Sequence, residues 1–136
     1  MDVLLDQRFP ATTDTLSAVR AAVRQACQRV RCNEENGEQI VLAINEACMN
    51  VIQHAYRFSD GQFFTLRLTL EGGVLVICLL DNGTPVIDDD LRPRDLDDLR
   101  PGGLGVRFMR ELMDSVAYRP APEGFTNCLQ LTKRID

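Results

Sequence analysis

Glu46 and Asn50 stand four residues apart, so on a helix an acid and an amide project side by side. A carboxylate there can take a proton from a hydroxyl nucleophile, and an amide oxygen can coordinate a hard cation. Asp81 ends the apolar run from Val74 to Leu80 and is followed by Asn82 and Gly83. A carboxylate at a strand end can accept a hydrogen bond from an exocyclic amino group such as that of adenine. Gly102, Gly103 and Gly105 then flank Leu104 and lead into Val106, where an amphipathic stretch begins. Backbone without Cβ approaches a phosphate closely, and a helix start offers free N–H groups and a favourable dipole. Each segment also has an ordinary reading, as a solvated helix face, a good turn or a helix-breaking loop end. In this order along one chain, they are the parts of a nucleotide site.

The elements that must position these residues can be read coarsely. Val3 to Phe9 reads as a first strand, and Thr12 or Thr13 can cap a helix with apolar residues Leu16, Val19, Val23, Ala26 and Val30, ending near Cys32. Asn33 to Gly37 reads as a polar break and cap, after which Gln39 to Tyr56 form a second helix. At about 100° per residue, Gln39, Glu46, Asn50, Gln53 and Arg57 share one stripe of it, opposite Val41, Ile44, Cys48, Val51, Ile52 and Ala55. Phe63 to Leu70 and Val74 to Leu80 flank Gly72-Gly73 and predict an antiparallel hairpin. From Asn82 to Gly102 there is no clear period, and Pro85, Pro93 and Pro101 mark a long loop. Val106, Met109, Leu112 and Met113 predict a third helix, and Val116 to Tyr118 with Asn127 to Thr132 a closing hairpin around Pro120 to Gly124.

Composition sets the class. The 136 residues, 45% hydrophobic and 26% charged, suit one soluble domain with a real core. A net charge of −5 argues against a nucleic-acid surface, which needs a basic patch. No stretch reaches the roughly 20 apolar residues of a membrane span, and the start Met1-Asp2-Val3 lacks the basic region of a signal peptide, so a cytoplasmic protein is expected. Five cysteines, Cys27, Cys32, Cys48, Cys78 and Cys128, are odd in number and mostly set in apolar runs. They read as reduced core residues and carry no assigned chemistry.

With these residues in view, the chain resembles the GHKL (histidine-kinase-like) ATPase superfamily and, within it, the stand-alone anti-sigma-factor serine/threonine kinases. Glu46, Asn50 and the following His54-Ala55-Tyr56 look like the family's N box, and Asp81-x-Gly83-x-Pro85 like its adenine box. Gly103-Leu104-Gly105 with Met109-Arg110-x-Leu112-Met113-Asp114 resembles its second glycine box, and Thr126-Asn127-x-Leu129-x-Leu131 its last strand. The resemblance covers nearly the whole chain. It implies one domain over residues 1–136, an α/β two-layer sandwich of the Bergerat type, with helices on one face of a mixed, mostly antiparallel sheet and an ATP lid over 86–102.

By the same resemblance Glu46 is the catalytic base, Asn50 the Mg2+ ligand, Asp81 the adenine reader, and Gly103 and Gly105 phosphate contacts. His54, Gly83, Gly102, Leu104, Val106 and Thr126 complete the ATP-binding set, Thr126 as a supporting contact near the adenine. His54 reads as a hydrogen-bonded or nucleotide-contacting residue rather than a catalyst. The family's partners are an anti-anti-sigma (STAS-domain) protein as substrate and a sigma factor or comparable regulator as captive, with a homodimer expected and neither nucleic acid nor membrane involved. The lid departs from what a triphosphate wants, since Asp88, Asp89, Asp90, Asp95, Asp97 and Asp98 face only Arg92, Arg94 and Arg100. Two functions follow: an ATP-dependent protein kinase that switches partners, or an ATP-binding switch that sequesters a regulator without phosphotransfer.

Overall fold

A computed structural model describes residues 2–86 and 103–136 of the chain, with the side chains of 103–105 undescribed. Strand β1 (Asp2–Pro10) leads through a 3-10 turn (Thr13–Thr15) into helix α1 (Leu16–Arg29) and helix α2 (Glu34–Asn50). A turn of π-helix (Val51–Ala55) follows, then β2 (Phe63–Glu71), β3 (Val74–Asp81), helix α3 (Gly103–Leu112), β4 (Ser115–Arg119) and β5 (Asn127–Arg134). The strands form one five-stranded sheet in the order β1-β2-β3-β5-β4. All four pairings are antiparallel, so the mixed sheet expected from the sequence is corrected to an antiparallel one among the described residues.

Alternation along the strands sends one set of side chains to the helices. Phe64, Leu66 and Leu68 of β2, Leu75, Ile77 and Leu79 of β3, and Leu129 and Leu131 of β5 are buried in one cluster. The cluster also takes Val19, Val23 and Ala26 of α1, Ile40, Ile44, Ala47 and Cys48 of α2, and Met109 of α3. Each fully buried aliphatic side chain contributes about 1.5–3 kcal/mol relative to exposure, so this shared face is what holds the two layers together. The β2–β3 hairpin turns at Gly72 (φ 57°) and Gly73 (φ 81°), two consecutive left-handed residues that match the twist of a tight hairpin.

Helix α2 begins five residues before the expected Gln39, because Asn33 caps it: the Asn36 N–H donates to Asn33 Oδ1 at 2.7 Å, and Glu34 and Glu35 sit at the positive end of the dipole. The residues read as a polar break are its first turn. Its other end differs too, since the helix does not continue regularly to Tyr56. The Tyr56 N–H donates to Val51 O five residues back at 2.9 Å, the spacing of a π turn. The Glu46–Asn50 pair keeps its regular spacing, whereas Gln53 and Arg57 lie in and beyond the π turn, where the 100° step no longer holds. Helix α1 starts at Leu16 rather than at a threonine cap, and no side chain of Thr12 caps the turn before it.

The seam between α2 and the sheet is testable at Ile44, which is 1% exposed. Ile44→Ala is expected to lower unfolding stability by about 2–5 kcal/mol, read as an earlier urea midpoint with an unchanged slope.

Candidate nucleotide site

Core-facing positions of β3 run Leu75, Ile77, Leu79 and then Asp81, so the fold delivers a carboxylate into the last place of an apolar row. Asp81 lies between Phe64 on β2 and Asn127 on β5 in the register and is 4% exposed. An ionised group in such a place is costly unless donors meet it. Two do, both at Oδ1: Asn127 Nδ2 at 2.9 Å and the Gly83 N–H at 2.8 Å. Burial pushes the Asp81 carboxyl above the usual carboxylate range, and these two hydrogen bonds pull it back in part.

Asn127 spends its whole amide here. Its second N–H donates to Thr84 O at 2.9 Å, and its Oδ1 accepts from the Val86 N–H at 2.8 Å. One buried side chain therefore ties the end of β3 to Val86, the last residue described before Gly103. Thr126 adds a second tie: its N–H donates to Asp81 O at 2.9 Å, and its hydroxyl lies 2.9 Å from Gly83 O and 3.2 Å from Asp81 O. Thr126 thus stands beside Asp81.

Tyr56 closes the site from the helical side. Its hydroxyl donates to Phe63 O at 2.6 Å and accepts from the Asn82 N–H at 2.7 Å, which joins the end of the π turn to β2 and to the Asp81 turn. Burial pushes the Tyr56 phenol up, so it stays a donor at neutral pH. The Thr84 N–H donates to Ala55 O at 3.0 Å. At Gly83 a Cβ would stand 2.5 Å from that same Ala55 oxygen, so glycine is required by close approach to the π turn. Asn127 and Tyr56 were given no role from the sequence. A polar residue in the apolar i, i+2, i+4 row of Asn127, Leu129 and Leu131 was the signal available.

The Thr84–Ala55 bond sets the distance to the helical residues: Asn50 lies one π turn before Ala55, and Glu46 one α turn before Asn50. Both are half-buried, and among the described residues neither side chain has a hydrogen-bond partner. His54 is exposed on the π turn. Helices α2 and α3 pack on each other, which brings the start of α3 at Gly103 into the same helical layer. Gly103, Leu104 and Gly105 lie inside the first turn of α3 rather than before it, and Val106 packs on the core. Gly102, the acidic stretch and Arg100 lie outside the described residues.

The donor set fits a magnesium nucleotide. No group of three or more His, Cys, Asp or Glu suited to a metal occurs among the described residues. Mg2+ needs few protein ligands when phosphates and water supply the rest, and the amide oxygen of Asn50, unoccupied among the described residues, is a hard donor of the kind it takes.

Because Asn127 Nδ2 lies against Asp81 Oδ1, Asn127→Asp replaces two donors by a second carboxylate. Like charges in one buried site cannot both ionise freely. The variant is expected to lose about 3–5 kcal/mol at neutral pH and to recover part of it toward pH 4, where the pair shares a proton. Thermal melts across pH check this against Asn127→Ala, whose loss is expected to be smaller and also to ease toward acid, because Asp81 then keeps only the Gly83 N–H.

Comparison with known proteins agrees with this geometry. Residues 9–133 match the model of the histidine kinase-like ATPase domain. The chain is 30% identical over 123 residues to the serine-protein kinase RsbW of Bacillus pumilus, covering 83% of this chain and 76% of that protein. It is 27% identical over 121 residues to the serine-protein kinase RsbW of Bacillus subtilis, covering 82% and 75%. Among solved structures, the RsbU and RsbW domains of a Mycobacterium tuberculosis protein superpose with a TM-score of 0.69 at 20% identity, over 96% of this chain and 31% of that one. The SiaB–SiaC complex of Pseudomonas aeruginosa gives 0.62 at 15% identity, over 96% and 89%. The buried Asp81 at the end of β3, the Glu46–Asn50 pair on α2 and a match spanning almost the whole length place this chain in the histidine kinase-like ATPase family, among the relatives of the RsbW serine-protein kinases.

Proposed function

We propose that the protein is an ATP-dependent serine/threonine kinase of a partner-switching module, in the cytoplasm, and that Asp81 selects adenine. The observation that carries this reading is the held carboxylate: Oδ1 is taken by Asn127 and Gly83, which leaves Oδ2 for an exocyclic amino group. A buried, oriented carboxylate beside a backbone turn is a recogniser of a donor–acceptor edge rather than a salt-bridge partner. Gly83 and Thr126 shape the turn under the base, and the first-turn amides of α3 at Gly103 and Gly105, with Gly102, Leu104 and Val106, suit the phosphates. Asn50 would hold Mg2+, which when bound neutralises phosphate charge. His54, exposed on the π turn, borders the same end of α2.

Glu46 has the place and freedom of a base. No hydrogen bond among the described residues occupies it, so its carboxylate can accept the proton of an incoming serine or threonine hydroxyl. The similarity to the RsbW serine-protein kinases supports a protein substrate; in this reading that substrate is of the anti-anti-sigma (STAS-domain) kind, a sigma factor or comparable regulator is the second partner, and a homodimer is the working form. The segment 86–102 is the lid in this reading, anchored at its start by the Val86–Asn127 bond.

Glu46→Gln separates transfer from binding. Phosphate transfer to the partner is expected to fall by roughly 100-fold or more, while ATP affinity measured by titration stays within about threefold of wild type. Undiminished transfer in this variant would remove Glu46 from the role of base, and a wild type that binds ATP and partner without any transfer would favour the sequestering switch.

A further inference from the structure

Helix α1 ends in a Schellman turn whose two contact positions are both cysteine. The Cys32 N–H donates to Cys27 O at 3.0 Å and the Arg31 N–H to Gln28 O at 3.1 Å, with Arg31 left-handed at φ 57°. These are the 6→1 and 5→2 bonds of the motif, which sets residue C3 against residue C″, ordinarily as an apolar contact. Here C3 is Cys27, buried in the core cluster, and C″ is Cys32, half-buried at its edge. The direct backbone bond bounds the separation: ordinary bond lengths on either side of it keep the two α-carbons within about 7 Å, and any bend in that path brings them closer. That bound lies just above the window of roughly 4.4–6.8 Å in which a disulfide closes, and the bends of about 120° at the carbonyl carbon and the amide nitrogen bring the pair into it. The two thiols are near enough that each perturbs the ionisation of the other.

We propose that Cys27 and Cys32 are an oxidative modification site that closes as an intramolecular disulfide when the chain meets a low-molecular-weight disulfide. The half-buried Cys32 attacks first, as thiolate, on one sulfur of the small disulfide and expels one small thiolate. Cys27 then gives up its proton to solvent and attacks Cys32 Sγ in the mixed disulfide, expelling the second. The balance is two protein thiols and one small disulfide going to one protein disulfide and two small thiols. Burial pushes the Cys27 thiol up to about 12, with Cys32 and then Glu38 adding in the same direction, and raises Cys32 against the opposing pulls of Cys27 and Lys133. The exchange is therefore slow, and the pair stays a dithiol under reducing conditions. The bond would staple the end of α1 to the residue before the Asn33 cap of α2, at the end of α2 opposite the nucleotide site. From Gly37, which packs on Cys27, to Asn50 the helix rises about 20 Å.

A second thiol pair sharpens the test. Cys78 pairs with Gln130 and Leu80 with Cys128 across β3 and β5, so Cys78 and Cys128 are diagonal neighbours. These two thiols also perturb each other's ionisation, but diagonal α-carbons in such a ladder stand roughly 7–8 Å apart, beyond what a disulfide spans without backbone movement.

The experiment incubates the full chain with excess oxidised glutathione, alkylates the remaining thiols, maps the peptides by mass spectrometry and records thermal melts. The expected product is a Cys27–Cys32 disulfide in monomeric chain, with a melting point several degrees higher, reversed by dithiothreitol. Cys32→Ser, a change at the half-buried position, is expected to abolish bond and shift together, and Cys78→Ser to abolish neither. ATP affinity is expected to be the same before and after oxidation. Persistence of both thiols, a Cys78–Cys128 link, or only intermolecular or glutathione-mixed disulfides would each overturn the proposal.

Discussion

The amide of Asn127 and the carboxylate of Asp81 meet at 2.9 Å across β5 and β3, both 4% exposed. Everything that makes one end of the sheet a site depends on that contact. Without the amide, the charge on Asp81 would face an apolar row with one backbone N–H for company, and burial favours the neutral acid in that setting. With it, the same side chain also fixes Thr84 and Val86, so the geometry of the carboxylate and that of the turn after β3 are one structural fact. The buried carboxylate and the last residues described before Gly103 are thus held by a single side chain.

The helical layer is fitted to that end of the sheet by a local departure from α geometry. The π turn at Val51–Ala55 presents Ala55 O to the Thr84 N–H and leaves room there only for glycine at position 83. Tyr56 then bonds β2 and the Asn82 N–H with one hydroxyl. The extra residue of a π turn weakens the regular ladder, and such turns are found where a fold needs a side chain or carbonyl aimed off the helical path. Here it serves the junction of α2 with β3, so that Asn50 and Glu46 stand one and two turns from the Asp81 turn.

The residues whose signal is local were legible in the sequence. The β2–β3 hairpin follows from alternation and two turn glycines, and the placing of Glu46 with Asn50 from a four-residue spacing that the regular part of α2 preserves. Helix α2 was read short because Asn33 and Gly37 look like loop residues until the Asn33 cap bond to Asn36 is known. The π turn was not legible, since its cause is the fit of Ala55 against a glycine 28 residues later. Asn127 and Tyr56 escaped for the same reason: their partners lie far along the chain, and only the pairing of β3 with β5 and the docking of the π turn bring them together. The mixed sheet came from the family resemblance and not from any pattern in the strands, and the strand pairing corrected it.

The central claim is that Asp81 is kept buried, against its own cost of burial, to recognise adenine. Calorimetric titration of magnesium ATP into wild type and Asp81→Asn, with a melt of each, tests it most directly. An asparagine oxygen can still accept from Asn127 and Gly83 while the buried charge is gone, so the account predicts a variant that melts no lower than wild type at neutral pH and has lost ATP binding. ATP binding by the folded variant as tight as that of wild type would contradict it.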